Sequence, residues 1–470
     1  MPLSTSLLGR RMTSFAAVAI FGSIALVMLA MGSLTQNHRI SLVFYAAVVI
    51  ASLGYLFWRT RDELAISVLS VFCVLFSAFH FGLLLADLTG TDVHRLFGGV
   101  LGWYLREDLV FGAYRASLLF LLGTVCGGLV AVKVWRRRPR HRLAIQPTRR
   151  RTARLVLLFL LMSVAAWLII VTGILGIRNY TEYNFVARSA SAGIFGFILM
   201  ILYPLIAALF FLAVNASTRL GPPFLVFSVF GIVAFPMGLR GEVLFPLAMV
   251  VSVLVVQGRL HLSIWRGLAG AYAVSVASSF GRIFRADTDL SEAIRGASGV
   301  TGLAEMGGSL RPVVEVRAWL DSGADVLRWG ETYYAPFERT VLRLFPIVER
   351  ESALTDERLM NTLLVARTGG NYGFSIAAEA LVNFGELGCV LIGAISGVLL
   401  VIYGRQIECG RMPIILSAVV FGLFIHIRQG FVTAYGSALL FLVICFLVSF
   451  LFERGIRLKL NRTASSYGTQ

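Results

Sequence analysis

An all-α, polytopic membrane fold follows from three observations. Of 470 residues, 57% are hydrophobic and 14% are charged, with a mean hydropathy of +0.81. Soluble domains carry roughly 25% charged residues, so a soluble core of this size would stay uncovered. The apolar residues fall in blocks of about 17–25, the length that crosses about 30 Å of hydrocarbon at 1.5 Å per residue. The basic residues, 42 against 25 acidic for a net charge of +17, gather in alternate short loops. The chain reads as one integral membrane domain, 1–470, without a separate soluble domain, low-complexity tail or solenoid repeat.

About twelve transmembrane helices are predicted, near 13–33, 39–58, 64–85, 113–135, 155–175, 193–214, 222–238, 243–257, 266–280, 374–403, 413–430 and 435–453. The first follows Arg10 and Arg11 as a signal peptide would. Its apolar run is too long for such a peptide and shows no convincing cleavage site, so it is kept as a span. With the N-terminus in the cytoplasm, the inner segments hold Arg59, Arg61, the run Lys133 to Arg154, Arg219, Arg259, Arg266, Arg405, Arg411 and the tail from Arg454 to Arg462. They carry about 23 basic against about 4 acidic residues. This is the positive-inside bias, and it places both termini in the cytoplasm. Most of the net charge is thereby topological, and contact of the Arg136–Arg154 run with anionic lipid explains it better than nucleic acid does. Cys73, Cys126, Cys389, Cys409 and Cys445 show neither a disulfide framework nor zinc spacing, and read as small apolar residues.

Two outer segments remain. The loop 86–112 is short. The loop 281–373 holds about half of the acidic residues, with helical patterning in PVVEVRAWL and YYAPFERTVLRLF. A loop this long is functional or a lid, so short helices capping an outward, basic cavity are expected.

Charges at the membrane edge carry the functional information, because ionisable groups at bilayer depth cost about 2.5–3.5 kcal/mol or more. Arg240 and Glu242 form the tip of a hairpin, GLRGEVLFPLAMVV. Arg282 and Arg285 follow the ninth span, three residues apart on one helical face. Glu379 lies in FSIAAEALVNFGELG, four residues before Asn383, and His426 and Arg428 occupy LFIHIRQGF. Arginine forks hold phosphate oxygens bidentately and stay charged when partly desolvated. The cluster Arg240, Arg282, Arg285 and Arg428 therefore suits a lipid-linked phosphate or diphosphate; pairing with local acids or snorkelling is the structural alternative. Glu379, Glu242 and His426 are the candidate general bases, Glu379 first. Its alternative is a structural carboxylate that accepts backbone N–H bonds. Tyr180, Tyr183, Tyr333 and Tyr334 could stack on sugar rings or anchor at the interface. Asp287-Thr288-Asp289 spells DxD, but chance solvated acids explain it, and no metal is assigned. His80 reads as a core histidine. No nucleotide fingerprint, P-loop or serine-hydrolase elbow is present, and no cofactor is implied.

The order of these features resembles the Wzy-type polysaccharide polymerases of O-antigen and enterobacterial common antigen synthesis, over roughly residues 170–450. The carrying segments are GIRNYTEYNF, GLRGEVLFPLAMVVSVLV, FGRIFRA, GETYYAPFERTVLRLFP, NYGFSIAAEALVNFGELGCVLIGAISGVLL and IRQGF. The most specific piece is Ser375, Glu379, Asn383, Phe384, Gly385 and Gly388. The resemblance implies a GT-C-like glycosyltransferase architecture in the bacterial inner membrane with a periplasmic active site. It also implies a reaction: the growing glycan leaves its undecaprenyl diphosphate for the non-reducing end of a new lipid-linked unit. Arg240, Arg282, Arg285 and Arg428 then match the diphosphate-binding arginines and Glu379 the motif glutamate, with Tyr180, Tyr333, Tyr334 and Asn383 as glycan contacts. The implied partners are the lipid-linked oligosaccharide, membrane lipids, and a chain-length regulator and flippase of the same pathway. An O-antigen ligase-like transferase is one alternative. A lipid-linked oligosaccharide flippase is another, though its charges would sit at mid-membrane depth with inverted repeats.

Overall fold

The computed structural model describes residues 4–31, 38–91, 102–104, 106–135, 150–177, 182–183, 193–261, 264–280, 298–342, 355–369 and 373–466. Among these residues every regular element is helical. The first nine helices are α1 (Ser4–Met31), α2 (His38–Thr60), α3 (Ser67–Leu88), α4 (Glu107–Val134), α5 (Arg150–Leu168), α6 (Gly193–Ala216), α7 (Gly221–Ala234), α8 (Arg240–Val256) and α9 (Ile264–Phe280). Four short helices follow: α10 (Gly299–Gly307), α11 (Arg311–Asp321), α12 (Glu331–Leu342) and α13 (Met360–Thr368). The last three are α14 (Ile376–Glu408), α15 (Ile414–His426) and α16 (Phe431–Ser466).

A helix stands at each of the twelve expected positions, but seven stretches among the described residues are long and apolar enough to cross a membrane. They are Ile40–Thr60, Leu64–Leu88, Glu107–Val134, Arg151–Ile174, Ile194–Ala216, Ile376–Glu408 and Phe431–Phe450. Of the other five expected positions, four hold helices shorter than a full crossing. α7 has 14 residues, α8 and α9 have 17 each and α15 has 13, which is about 20–25 Å against about 30 Å of hydrocarbon.

Large apolar side chains point outward along the peripheral helices. Ile194, Phe197 and Met200 of α6, Leu158 and Met162 of α5, and Leu387, Leu391 and Ile395 of α14 are all exposed. Water would not tolerate such continuous stripes; lipid requires them. The buried centre is α4 against α14. Gly123 and Gly127 on one helix face Gly393 and Gly397 on the other. A Cβ on Gly397 would overlap the Thr124 carbonyl oxygen, and one on Gly127 the Ala394 carbonyl oxygen. Small residues spaced by four let the two backbones touch, which is how apolar helices associate where lipid supplies no hydrophobic drive.

Part of the segment expected as an outer loop packs into the helical bundle. Helix α10, capped by Ser298 accepting from the Thr301 N–H at 3.1 Å, is wedged between α3 and α9. Gly82 and Gly302 admit its backbone: a Cβ at either would collide with the Leu303 or the Ser275 carbonyl oxygen. Helix α11 packs Val313, Val314 and Val316 into the core, against α4 and α14.

Polar contacts sort to two ends of the bundle. At one, Arg405 pairs with Glu63 and with Glu408, and Arg259 donates to the carbonyls of Val214 (3.0 Å) and Ser217 (2.6 Å). The other end holds the candidate site.

Candidate functional site

Ser375 starts α14 in an extended conformation, and its side chain accepts from the Ala378 N–H at 3.1 Å. The cap aims the first turn so that Glu379 points inward, 1% exposed. Its Oε2 accepts the Phe431 N–H at 2.7 Å and lies 3.0 Å from His426 Nε2. A carboxylate only accepts, so Nε2 carries the proton and a neutral His426 keeps its lone pair on Nδ1. Phe431 opens α16 and His426 closes α15, so one carboxylate ties together the ends of three helices.

Helix α14 breaks at Gly385, whose φ of 67° and ψ of −160° suit glycine alone. The break frees two carbonyls of the preceding turn. The connection into α12 fills them: the Arg328 N–H donates to Val382 O at 3.0 Å and the Trp329 N–H to Asn383 O at 2.9 Å. The Asn383 side chain completes the joint. Its Oδ1 accepts the Gly330 N–H at 2.9 Å, and its Nδ2 donates to Thr332 Oγ1 at 2.6 Å and Glu379 O at 2.7 Å. These bonds hold Trp329 at φ +49°, the one non-glycine residue at positive φ among the described residues. Such backbone persists only where its surroundings over-determine it.

Tyr333 is thereby set against the pair. Its ring lies 6.3 Å from His426 and 5.1 Å from Phe431, edge to face, and stacks on Phe384 at 6.4 Å. Burial pushes its phenol well up, and the Glu379 charge adds to that shift, so the hydroxyl stays protonated. Tyr334 points away, 60% exposed.

The arginines diverge from the simple cluster expected. Arg428 follows His426 by two residues, is half-buried, and places its guanidinium 5.8 Å from the Phe79 ring centroid. Its carbonyl accepts the Phe374 N–H at 3.1 Å. Gly373, at φ +76°, lies so close to that carbonyl that a Cβ would collide with it. Arg240 starts α8, 2% exposed, ion-paired with Glu305 of α10 and donating to Ser278 O at 2.9 Å. Phe79 also meets Phe245 of α8 at 5.8 Å, so Arg428 and the second turn of α8 flank one aromatic ring. Glu242 stands half-buried beside Tyr203 of α6 and not in the Glu379–His426 pair. Arg282, Arg285, Tyr180, Asp287 and Asp289 lie outside the described residues. His80 sits in the core, with Nδ1 3.1 Å from Phe76 O and its ring stacked on Phe76 at 4.1 Å.

Two polar contacts at this end are absent from the sequence reading. Glu305 is one. The other joins Arg115 of α4 and Arg317 of α11 to Glu386, the residue after the Gly385 break, with the Arg317 bond at 3.1 Å. Arg115 signals itself as a charge inside an apolar span, and Glu386 lies within the NFGELG motif. Among the described residues no three His, Cys, Asp or Glu side chains converge as metal ligands.

This geometry defines a class: a multi-pass, all-helical membrane protein with a buried histidine–carboxylate pair, aromatic rings and arginines at one end, under helices folded back from a long connection. Comparison with known proteins gives the particular family. The family model described as O-antigen polysaccharide polymerase Wzy matches residues 17–456, and the chain belongs to that family. Protein CapE of Staphylococcus aureus is 27% identical over 164 residues, 35% of this chain and 34% of that relative. The alignment thus spans about a third of the relative's length. No solved structure matches the chain.

Proposed function

We propose that this protein polymerises oligosaccharide repeat units carried on undecaprenyl diphosphate, at the periplasmic face of the bacterial inner membrane. The observation that carries the chemistry is the buried His426–Glu379 pair beside Arg428, in a chain of the Wzy family. Glu379 orients His426 and fixes its tautomer. His426 Nδ1 takes the proton of the acceptor hydroxyl as that oxygen bonds to the anomeric carbon of the growing chain. The bond from that carbon to the diphosphate breaks, and the diphosphate leaves with the bonding electrons. Arg428 neutralises the developing charge, and Arg240 assists by sharing its guanidinium with Glu305. Arg282 and Arg285 are further diphosphate contacts in this reading. In this reading His426 is the general base and Glu379, whose Oε2 meets both His426 Nε2 and the Phe431 N–H, holds it in place.

The test is reconstitution of the purified protein in lipid with undecaprenyl-diphosphate-linked repeat units, with products separated by gel. A ladder of lengthened lipid-linked glycans, lost in Arg428→Ala and reduced in Arg240→Ala, is expected. Movement of substrate between leaflets without a ladder would make the protein a transporter. Transfer to a lipid A-type acceptor without a ladder would make it a ligase.

A further inference from the structure

Helix α12 is built the wrong way round for water. Its exposed face carries Tyr334, Phe337 and Val341, spaced as one stripe. Trp329, just before the helix, is more open still, at 76% exposed. The charges turn inward: Glu338 pairs with Arg358, and Arg339 with Asp356 at 2.7 Å. Glu331, in the first turn, is the one charge left exposed on this helix. A helix in water buries its apolar stripe and shows its charges; the reverse arrangement marks a face that something apolar covers.

Two lipid-facing stripes of the bundle lead to this face. On α16, Leu439, Val443 and Phe446 are exposed. Tyr435 lies one turn nearer the site, its ring 4.5 Å from that of Phe337. On α14, Leu387, Leu391 and Ile395 are exposed. One turn nearer the site, the Asn383 carbonyl accepts the Trp329 N–H at 2.9 Å. Both helices put the edge of the hydrocarbon at this level. The apolar stretch of α16, Phe431–Phe450, has 20 residues, about 30 Å of helix and the full thickness of hydrocarbon. On α14, Arg405 pairs with Glu63 at the opposite end, and about 20 residues counted back from it, again about 30 Å, reach Gly385. Helix α12 therefore meets both helices where hydrocarbon gives way to headgroups, the depth at which tryptophan and tyrosine rings anchor.

We propose that α12 is a membrane-interface helix whose Trp329, Tyr334, Phe337 and Val341 side chains are immersed among the phospholipid acyl chains of the leaflet at this end of the bundle. Continuity with the stripes of α14 and α16 selects lipid as the occupant. The segment expected as a cap is thus in part a wall standing in the leaflet. Tyr333 and Tyr334 face opposite ways, Tyr333 toward His426 at 6.3 Å and Tyr334 toward lipid. A single helix, about 10 Å across, then separates the His426–Glu379 pair from the acyl chains. This placement holds whatever reaction the pair performs.

The test uses full-length protein in phosphatidylcholine nanodiscs, with and without bromine on the acyl chains, because bromine quenches tryptophan on contact. Trp329→Phe, Tyr334→Trp and Val341→Trp are each compared with wild type, and each difference spectrum isolates one ring. The two added-ring variants carry the test if Trp329→Phe does not fold. Roughly half of the emission at each of the three positions should be lost in lipid brominated near the headgroup, and less in lipid brominated near the chain end. Emission untouched by brominated lipid at two or more of the positions overturns the proposal. Acrylamide then identifies what replaces lipid. Quenching by acrylamide places the face in water, and quenching by neither agent places it under protein, such as a second copy of this chain.

Discussion

Helix α14 has two halves that solve the packing problem in opposite ways. Past Gly385, beyond the Glu386–Arg115 pair, its glycines lie against those of α4, backbone to backbone. Before Gly385, Glu379 and Asn383 are 1% and 0% exposed and bond to three other segments. The glycine seam of this half holds by close backbone contact. The polar half accepts the cost of buried charge and broken helix and gains reactive groups held in a fixed geometry. The lesson is that one continuous stretch of sequence divides scaffold from site at a single glycine.

The comparison predicts different failures on either side. The largest is expected at the seam. Gly397→Leu or Gly127→Leu forces side-chain atoms into the Thr124 or Ala394 carbonyl, so the protein should not assemble, seen as loss of the monodisperse peak in gel filtration. A well-folded Gly397→Leu protein would break the division. On the polar side the fold should survive while chemistry fails. Glu379→Gln with its amide oxygen in the place of Oε2 keeps both the Phe431 N–H and the His426 contact, since one oxygen makes both, but it removes the charge that stabilises His426 once the ring takes a proton. Polymerisation should fall by roughly 10²–10⁴-fold with little change in unfolding temperature.

Asn383→Ala lies between the two. It removes three hydrogen bonds and leaves the Gly330 N–H without its acceptor. A loss of about 2–4 kcal/mol is expected, together with faster amide exchange over residues 328–332. A smaller effect belongs to Asp356, which joins α12 to α13. Burial raises its carboxyl, but hydrogen bonds from Arg358 and Arg339 outweigh this and hold it below the usual carboxylate range. A lowered pKa in the folded state means the stabilisation is present above the ordinary carboxylate value and is lost as pH falls through it toward the folded value. Amide exchange in α12 and α13 should rise on acidification, and Asp356→Asn should abolish that dependence. The smallest effect is Gly436→Ala in α16. No atom lies within 4 Å of the added Cβ, so it should be neutral or raise stability by up to about 1 kcal/mol.

Much of this was legible from residue types. Twelve apolar blocks predicted twelve helices because backbone groups in lipid must be satisfied within the segment. Glu379, Asn383, His426 and Arg428 stood out as polar residues in apolar surroundings. Partnership was not legible. Glu379 meets His426 47 residues away and the Phe431 N–H 52 away, and Arg240 finds Glu305 65 residues on, in a segment read as an outer loop. The burial of α10 between α3 and α9 escaped notice because GVTGLAEMG is too short and too mixed to announce a buried helix.

By itself the sequence determined the class of fold, the sorting of charge to two ends and the polar residues that the membrane would penalise. These depend only on how each segment partitions between water and hydrocarbon, a local property. The tertiary structure alone decided which carboxylate faces which cation, that Glu379 meets His426, and that the Asn383 side chain joins α14 to the start of α12. Hydrogen bonds act over about 3 Å, and only the packing of helices distant in sequence brings their groups within that range.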